Sequence, residues 1–404
     1  MSLSVRLILA RRCMPCLDGI RRVVRHASTY TTNEDIDPIK KSVFISQSTD
    51  VSVNLALEHW LYRNLDLSKH HVLLLWRNDP CVVFGRHQNP WLECNIHVAE
   101  KENIVLIRRN SGGGTVYHDR GNLNLSFFTP KQRYDRKYNL NIIKTALFRQ
   151  WGLKSEINER DDIIVDGDYK VSGTAAKLGQ SNAYHHCTLL VNVNKINLSS
   201  ALAKKENGII TNATTSTRSI IKNLSDINRN IQVDKLISAI GWEYMRTKAL
   251  VLEDARYDLV QQQKGFQYVN PTEDWFPGID KIISEFRSWD WNFGKTPKFT
   301  VIRELDVPTH DGKMHRLNLK LEIQNGIVEE IRMTLPAGLV SADINQDASA
   351  HLDLHVISNL RGTRYNHEVT ENIITEIGGK IVTLNTSQSV DDNNVRRFDE
   401  ATLQ

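Results

Sequence analysis

Residues 108–119 read RRNSGGGTVYHD, and this segment constrains the architecture more than any other part of the chain. A strand delivers Arg108 and Arg109 to a triple-glycine turn, and a second strand leaves it. Three glycines let the backbone approach a ligand closely and point N–H groups at an anion. Arginine adds a planar fork that matches phosphate or carboxylate. The segment is therefore predicted to be an anion site or, as the simpler alternative, a flexible hairpin loop. It lacks both the P-loop lysine and the Rossmann spacing.

Helix and strand patterns alternate around this turn, which predicts an α/β or α+β body. Asn122–Phe128 alternates polar and apolar residues, so it is predicted to be a half-buried strand. Ile163–Val165 and Tyr169–Val171 flank Gly167-Asp168 and predict a tight hairpin. The other predicted helices are 50–64, 138–151 and 233–245, and the other predicted strands are 71–76, 81–84 and 104–109.

A second module is predicted after a boundary near residues 294–298. Leu317–Ile323 alternates, Asn325-Gly326 supplies a type I′ turn, and Ile327–Leu335 returns as the partner strand. The predicted division is a leader at residues 1–27, a catalytic domain at 43–294 and a small C-terminal α+β accessory domain at 295–404.

The amino terminus carries the basic charge of the chain. Residues 1–26 hold six arginines, no lysine and one acid, Asp18, so they account for +5 and leave −1 for the rest of a chain whose total is +4. An arginine-rich, acid-poor leader with apolar patches predicts a mitochondrial transit peptide and the matrix as destination, with a disordered basic arm as the alternative. A near-neutral body argues against general nucleic-acid binding. No apolar run approaches the ~18 residues that span a bilayer.

Lys170 is the candidate catalytic group, within the segment Lys170–Ala175 of sequence KVSGTA. Its neighbours are small, so little bulk would crowd the ammonium. A lysine there can bind the α-phosphate and the acyl carbonyl of an adenylate and stabilise the charge that develops during acyl transfer. The alternative is an ordinary exposed surface lysine.

His185-His186-Cys187 suggests zinc ligands, but adjacent residues on a strand point to opposite faces, so the two histidines cannot easily share one ion. No metal is therefore predicted. Cys187 is either an acyl-carrying nucleophile or, more simply, a buried inert thiol.

Five segments in register resemble the lipoate–protein ligase and lipoyltransferase family, most of all its animal mitochondrial lipoyltransferases. They occur in the family's order over residues 43–300. They are Trp76–Asn78 with Gly85–Trp91, Arg108–Asp119 with Gly121-Asn122, Lys170–Gly173, His185–Leu190, and Trp289–Gly294. Asp161 and Cys187 stand where bacterial ligases have Asn and Gly, and they resemble the transferase side.

The resemblance implies a catalytic domain of the biotin/lipoate–protein ligase kind, related to class II aminoacyl-tRNA synthetases. It also implies that lipoyl-AMP lies across the central sheet, with Lys170 as the central residue. The other residues implied to face or support the lipoyl-adenylate are Arg108, Gly112, Gly113, Gly114, Tyr117, His118, Asn122, Arg160, Asp162, His186, Thr188 and Thr217.

The function implied is transfer of a lipoyl group, from lipoyl-AMP or a lipoylated H protein, to a specific lysine on lipoyl domains of 2-oxo acid dehydrogenase complexes. The glycine-cleavage H protein is a second expected partner, and a monomer is expected. Two alternatives stay open: a complete ATP-dependent ligase, which alone would need ATP and Mg²⁺, and a silent lipoate-binding assembly factor. A biotin ligase is disfavoured because that family's arginine-glycine-rich signature is missing.

Overall fold

The structure is a computed structural model of the 404-residue chain. It describes residues 39–203, 208–249, 251–254, 260–261, 263–308, 313–335, 352–355, 360–376 and 380–381. The predicted transit peptide and the polar carboxyl-terminal tail therefore lie outside the described residues.

The strands are numbered in chain order. They are β1 (Lys40–Ser46), β2 (His70–Trp76), β3 (Cys81–Phe84), β4 (Val105–Arg108), β5 (Val116–His118), β6 (Asn122–Pro130), β7 (Glu156–Ile157), β8 (Ile163–Val165), β9 (Tyr169–Lys170), β10 (Ser172–Leu178), β11 (Asn182–Leu190), β12 (Ile209–Thr211), β13 (Gly265–Val269), β14 (Phe299–Pro308), β15 (Met314–Gln324), β16 (Ile327–Leu335), β17 (Leu352–His355) and β18 (Lys380–Ile381).

The helices are numbered in the same way. They are α1 (Val51–Asn64), α2 (Pro90–Glu93), α3 (Ile96–Lys101), α4 (Arg136–Trp151), α5 (Lys195–Ala201), α6 (Leu224–Ile227), α7 (Val233–Arg246), α8 (Ile279–Arg287), α9 (Trp289–Asn292) and α10 (His367–Glu376). A short 3₁₀ turn spans Lys131–Arg133.

A six-stranded mixed sheet in the order β10-β11-β6-β2-β1-β13 forms the centre. β1 runs parallel to β2 and β13, whereas the other neighbouring pairs are antiparallel. Helices α4 and α7 pack on one face, here called the helical face. Helices α1 and α8 and the small sheet β4-β3-β5 cover the other, here called the site face. The predicted mixed α/β body is confirmed.

Local signals in the sequence set several element ends. The Asp50 side chain accepts hydrogen bonds from the N–H groups of Ser52 and Val53 and so caps α1. Helix α2 begins with Asn89 as its cap and Pro90 as its first residue. The predicted hairpin about Gly167-Asp168 is present as β8 and β9.

β6 differs from its prediction, because all seven residues from Asn122 to Phe128 are buried. Leu123, Leu125 and Phe127 belong to the core on the helical face. The polar residues Asn124 and Ser126 turn instead toward a buried polar cluster on the site face. The alternation of apolar and polar residues along β6 therefore separates an apolar core from a buried polar cluster. It does not separate the core from solvent.

The carboxyl-terminal sheet has the order β12-β14-β15-β16-β17, with β18 beside β14. Its central hairpin turns at Asn325 and Gly326, whose φ angles of 52° and 70° confirm the predicted I′-type turn. β12, from before the predicted boundary, pairs with β14, and Trp91 enters the core of this sheet. The domain boundary itself stays a prediction.

Trp91→Ala is expected to loosen the carboxyl-terminal sheet. The indole is 4% exposed, and its centroid lies 5.2–5.3 Å from the rings of Phe293, Phe299 and Tyr365. Truncating such a side chain costs about 3–5 kcal/mol of unfolding free energy. Hydrogen exchange should show faster exchange in β14 and β15. Trp275→Ala, at an indole that is 56% exposed, is the control and should leave that exchange unchanged.

Candidate active site

The glycine turn joins β4 to β5 and is pressed against the loop that follows β3. Gly113 has a φ of +96°, which disfavours other residues. A Cβ on Gly85 would lie 2.0 Å from the Gly113 carbonyl oxygen, so this approach also requires glycine. A Cβ on Gly112 would meet no atom within 4 Å, which leaves open space above the turn.

Arg109 holds this turn from beneath. Its Nη2 donates to the carbonyl oxygens of Gly112 and Gly114, each at 2.7 Å, and its Nη1 donates to Val83 at 3.1 Å. Burial lowers the pKa of Arg109 to about 10, which leaves the guanidinium charged at neutral pH. A fixed positive charge thus lies under a turn with open space above it. The sequence analysis placed Arg109 within the predicted anion site but did not include it among the residues implied to face the adenylate.

The position of Arg108 argues against the prediction that this residue faces the adenylate. The side chain is fully buried, and its guanidinium stacks on Phe84. Its N–H groups donate to carbonyl oxygens of Gly85 and Asn292, among others, and to the Thr296 hydroxyl, over 2.8–3.2 Å. These bonds use both terminal nitrogens and Nε. The placement makes Arg108 a support for two loops, so the predicted ligand contact loses its basis.

The segment from Ser216 to Lys222 connects the glycine turn to Lys170. The Ser216 hydroxyl accepts from the N–H of Thr115 at 2.8 Å and from Gln88 Nε2 at 3.0 Å. Four residues on, the Ile220 carbonyl accepts from the N–H of Lys170 at 2.9 Å, and the N–H of Lys222 donates back to the Lys170 carbonyl at 3.1 Å. Lys170 and the turn are therefore braced by one short stretch of chain. Thr217 lies exposed within that stretch.

The Lys170 ammonium forms an ion pair with Asp162 at 2.8 Å, in which the lysine side chain is 21% and the aspartate 6% exposed. The carboxylate therefore holds the ammonium, while part of the lysine side chain stays exposed. Arg160 is exposed nearby. Asp161, with a φ of 59°, pairs with Arg136 at 3.0 Å. The structure thus brings together Lys170 and Asp162 and leaves Arg160 at the surface.

β10 is an edge strand of the central sheet, and it runs directly beside the glycine turn. A Cβ on Gly113 would lie 3.4 Å from the Thr174 carbonyl oxygen. The Thr188 hydroxyl accepts from the N–H of Gly173 at 2.9 Å. Residues 173–177 are only half-buried, so this edge offers accessible backbone.

A buried polar cluster lies on the site face beneath α1. His186 Nδ1 is 3.0 Å from Glu58 Oε1, and His186 Nε2 is 3.3 Å from Asn124 Oδ1. Ser126 also donates to Glu58. Burial raises the pKa of Glu58, but the charge of His186 and hydrogen bonds from His186, Ser126 and Tyr184 outweigh it, so the pKa lies below its ordinary value. Sequence reasoning missed Glu58, although a carboxylate amid the apolar residues of α1 was the available signal.

His118 and Tyr117 are adjacent on β5 and therefore point to opposite faces. The His118 ring lies 6.5 Å from that of His186, within the polar cluster. Tyr117 packs instead with Val82, Ala99 and Leu190 in a separate apolar core. This placement argues against the predicted contact between Tyr117 and the intermediate.

Cys187 lies on the helical face, away from the polar cluster, and is fully buried. Burial raises the pKa of its thiol. Neighbouring His185 has a pKa lowered to about 3 by burial, so it is neutral. These features favour the inert alternative over the nucleophile.

Two surface clefts of about 450 and 760 Å³ contain none of the predicted site residues. The site is therefore recognised by its turn and its buried polar groups. In the described part of the chain, no group of three or more His, Cys, Asp or Glu residues is arranged to hold a metal ion. Over the same residues, no helix has the length and apolarity to cross a membrane.

Arg108→Met is expected to act on stability. Several buried carbonyl oxygens would lose their donors, at about 1–3 kcal/mol each, so the unfolding free energy should fall by at least about 3 kcal/mol. Urea denaturation measures this. Exposed Arg133→Met is the control, with an expected change within about 0.5 kcal/mol. Unchanged stability together with weakened adenylate binding would instead support the predicted contact between Arg108 and the adenylate.

Glu58→Gln is expected to flatten the acid limb of the stability profile. The native pKa of Glu58 lies below the ordinary 4.5, so its contribution is present above that pH and is lost as the pH falls through the native value. Wild type should thus lose up to about 1.4 kcal/mol per pH unit more than the variant below about pH 4.5. Denaturation at several pH values tests this, with exposed Glu100→Gln as the control. Parallel acid limbs for wild type and Glu58→Gln would contradict it.

Comparison with known proteins identifies the family. A family model described as the lipoyl protein ligase A/B catalytic domain matches residues 50–244. The mitochondrial lipoyl amidotransferase LIPT1 of Mus musculus is 40% identical over 311 residues, which cover 76% of this chain and 80% of that protein. The Homo sapiens LIPT1 is 39% identical over 309 residues, covering 76% and 79%.

More distant relatives extend the match. The lipoate-protein ligase A of Psychrobacter cryohalolentis is 37% identical over 265 residues, covering 65% of this chain and 75% of that protein. The crystal structure of P. falciparum LipL1 in complex with lipoate aligns with a TM-score of 0.52 and 25% identity over 72% of this chain and 84% of that one. The chain therefore belongs to the lipoate–protein ligase and lipoyltransferase family, and its catalytic fold is that of the family.

Proposed function

We propose that this enzyme moves a lipoyl group from lipoyl-AMP or a lipoylated H protein to a specific lysine of lipoyl domains in 2-oxo acid dehydrogenase complexes. The observation that carries the proposal is the braced pair of Lys170 and Asp162 joined to the glycine turn through residues 216–222. The 40% identity to a lipoyl amidotransferase supports transfer as the reaction. The retained, paired lysine speaks against a silent binding factor.

With lipoyl-AMP as donor, the acceptor amine attacks the acyl carbon, a C–N bond forms, and the C–O bond of the anhydride breaks to release AMP. The amine gives up its proton to solvent. With a lipoylated H protein as donor, the C–N bond of the donor amide breaks instead, and the H-protein lysine leaves as the amine. The Lys170 ammonium would hold the phosphate and the carbonyl oxygen, and so stabilise the charge that develops there. Because the mixed anhydride is already reactive, positioning supplies most of the acceleration.

The glycine turn would receive the anionic part of the adenylate. Open space above Gly112, half-exposed backbone of β10 and the buried charge of Arg109 are the features that favour it. The acyl tail would run along the site face toward His118 and His186. Asn122 and Thr188 would support that wall, and Thr217 would approach from the exposed segment.

A complete ATP-dependent ligase is the second candidate, favoured by the 37% identity to a bacterial lipoate-protein ligase A. ATP and Mg²⁺ belong to this alternative alone. The names of the two mammalian relatives support a mitochondrial location for this chain, and the arginine-rich leader makes the matrix the proposed compartment. The glycine-cleavage H protein is a proposed partner, and the proposed state is a monomer.

A comparison of donors separates the candidates. Lipoyl-AMP, lipoate with ATP and Mg²⁺, and lipoylated H protein would each be offered with an apo lipoyl domain, and the product read by intact mass. Transfer from lipoyl-AMP or H protein without transfer from lipoate and ATP supports the transferase. Pyrophosphate release from lipoate and ATP supports the ligase, and no product from any donor would refute both.

Lys170→Ala is expected to reduce the rate of lipoyl transfer from lipoyl-AMP by at least about a hundredfold, since it removes the charge that stabilises the reacting carbonyl. Lys222→Ala is the matched control: its ammonium pairs with Asp166 at 2.8 Å in the turn between β8 and β9, and alanine keeps the backbone N–H that donates to the Lys170 carbonyl. Single-turnover rates measure the effect, and thermal melts check folding. A near-wild-type rate for Lys170→Ala would contradict the assignment.

A further inference from the structure

A chain of buried amides fixes the state of His118. Asn54, on α1, directs Nδ2 at the carbonyl oxygens of Ser48 and Arg77, at 3.0 and 3.1 Å, and at Asn78 Oδ1, at 2.9 Å, so its two N–H groups are shared among three acceptors. Asn78 Nδ2 lies 3.1 Å from His118 Nδ1. Asn54, Asn78 and His118 are all fully buried.

The chemistry of the chain sets its direction. The two carbonyls that meet Asn54 can only accept, so the amide of Asn54 must present its nitrogen to them and, from the same nitrogen, to Asn78. Asn78 must then present its oxygen to Asn54 and its nitrogen to His118. His118 Nδ1 therefore accepts, and the proton of the neutral imidazole stays on Nε2.

His118 is also kept neutral. Burial, aided by the charges of His186 and Arg109, lowers its pKa well below the ordinary value. Its Nε2 is buried, and no partner for it is present among the described residues. Asn122 Oδ1 and Asn124 Nδ2 are buried and unpartnered in the same way, on the strand that faces His186. A buried N–H donor without an acceptor costs free energy, so a ligand atom is the natural partner.

We propose that Asn54 and Asn78 are positioning residues that lock His118 as an Nε2–H donor toward the acyl tail, where it hydrogen-bonds a ring sulfur. This rests on the proposed function. The far end of a lipoyl tail carries two sulfurs, which are weak acceptors, whereas a saturated eight-carbon tail carries none. An N–H donor left without an acceptor would weaken the binding of a saturated acyl tail. The amide relay thus makes the site prefer the sulfur-bearing acyl group.

Asn78→Asp is designed to invert the relay. The aspartate can still accept from Asn54 but can no longer donate to His118, so the neutral imidazole must place its proton on Nδ1. The exchange between Asn and Asp is known to reverse the tautomer of a paired histidine in catalytic triads. The measurements are made at about pH 8.5, which is above the ordinary pKa of histidine and favours the neutral imidazole.

Two measurements test the proposal. Long-range ¹H–¹⁵N spectra of histidine-labelled protein report the tautomer, with His118→Phe used to assign the signals. Calorimetry without acceptor gives the dissociation constants of lipoyl-AMP and octanoyl-AMP. Wild type should show Nε2–H and prefer lipoyl-AMP, Asn78→Asp should show Nδ1–H, and in both variants the preference should fall about threefold to tenfold. Exposed Asn230→Asp is the control and should change neither.

The outcomes separate this inference from the proposed function. An Nδ1–H tautomer in wild type, or an unchanged affinity ratio in His118→Phe, would overturn the inference even if Asn78→Asp failed to fold. Adding Asn78→Asp to His118→Phe should have no further effect on the ratio, and an additional loss would assign Asn78 a merely structural role. Wild type that binds neither adenylate would overturn the proposed function and this inference together.

Discussion

The guanidinium groups of Arg108 and Arg109, which are neighbours in the chain, lie inside the protein and donate hydrogen bonds mostly to backbone carbonyl oxygens. A buried cation is costly unless its donors are satisfied, so the surrounding backbone must fold to provide acceptors. Arg108 donates hydrogen bonds to the loop after β3 and to residues 291–296, and Arg109 donates hydrogen bonds to the glycine turn. The site therefore takes its shape from two side chains that themselves need not touch a substrate. The same arrangement leaves positive charge beside the turn that is proposed to receive the adenylate.

The pattern of the sequence predicted what is local. The two hairpins and the mixed α/β body follow from short-range rules that these residues obey. The same rules could not assign Arg108, because a motif does not say which of two neighbouring arginines holds the glycine turn and which holds the surrounding loops. Nor could they distinguish a solvated polar face from a buried one on β6, since Asn124 and Ser126 meet partners from α1 and β11, distant in sequence.

The two-residue period of a strand accounts for much of the site's chemistry. On β11 it sends His186 and Thr188 to the site face and His185 and Cys187 to the helical face. On β5 it separates His118 from Tyr117. Residues that look like one cluster in the sequence are thereby divided between a polar site and an apolar core. A thiol beside a histidine is predicted to be inert here because both are buried on the helical face of the sheet.

Lys170 owes its position to contacts made far from its ammonium. Its backbone is bonded to Ile220 and Lys222, and that segment is anchored at Ser216 by Gln88 and by the chain after the glycine turn. Gln88 also accepts from the N–H of Gly85, whose loop Arg108 holds. A circuit of hydrogen bonds thus links the backbone of Lys170, through residues 216–222 and Gln88, to the chain after the glycine turn and to the loop that Arg108 holds. Because transfer chemistry depends on placing charge to within fractions of an ångström, a rigid circuit of this kind is what a positioning mechanism requires.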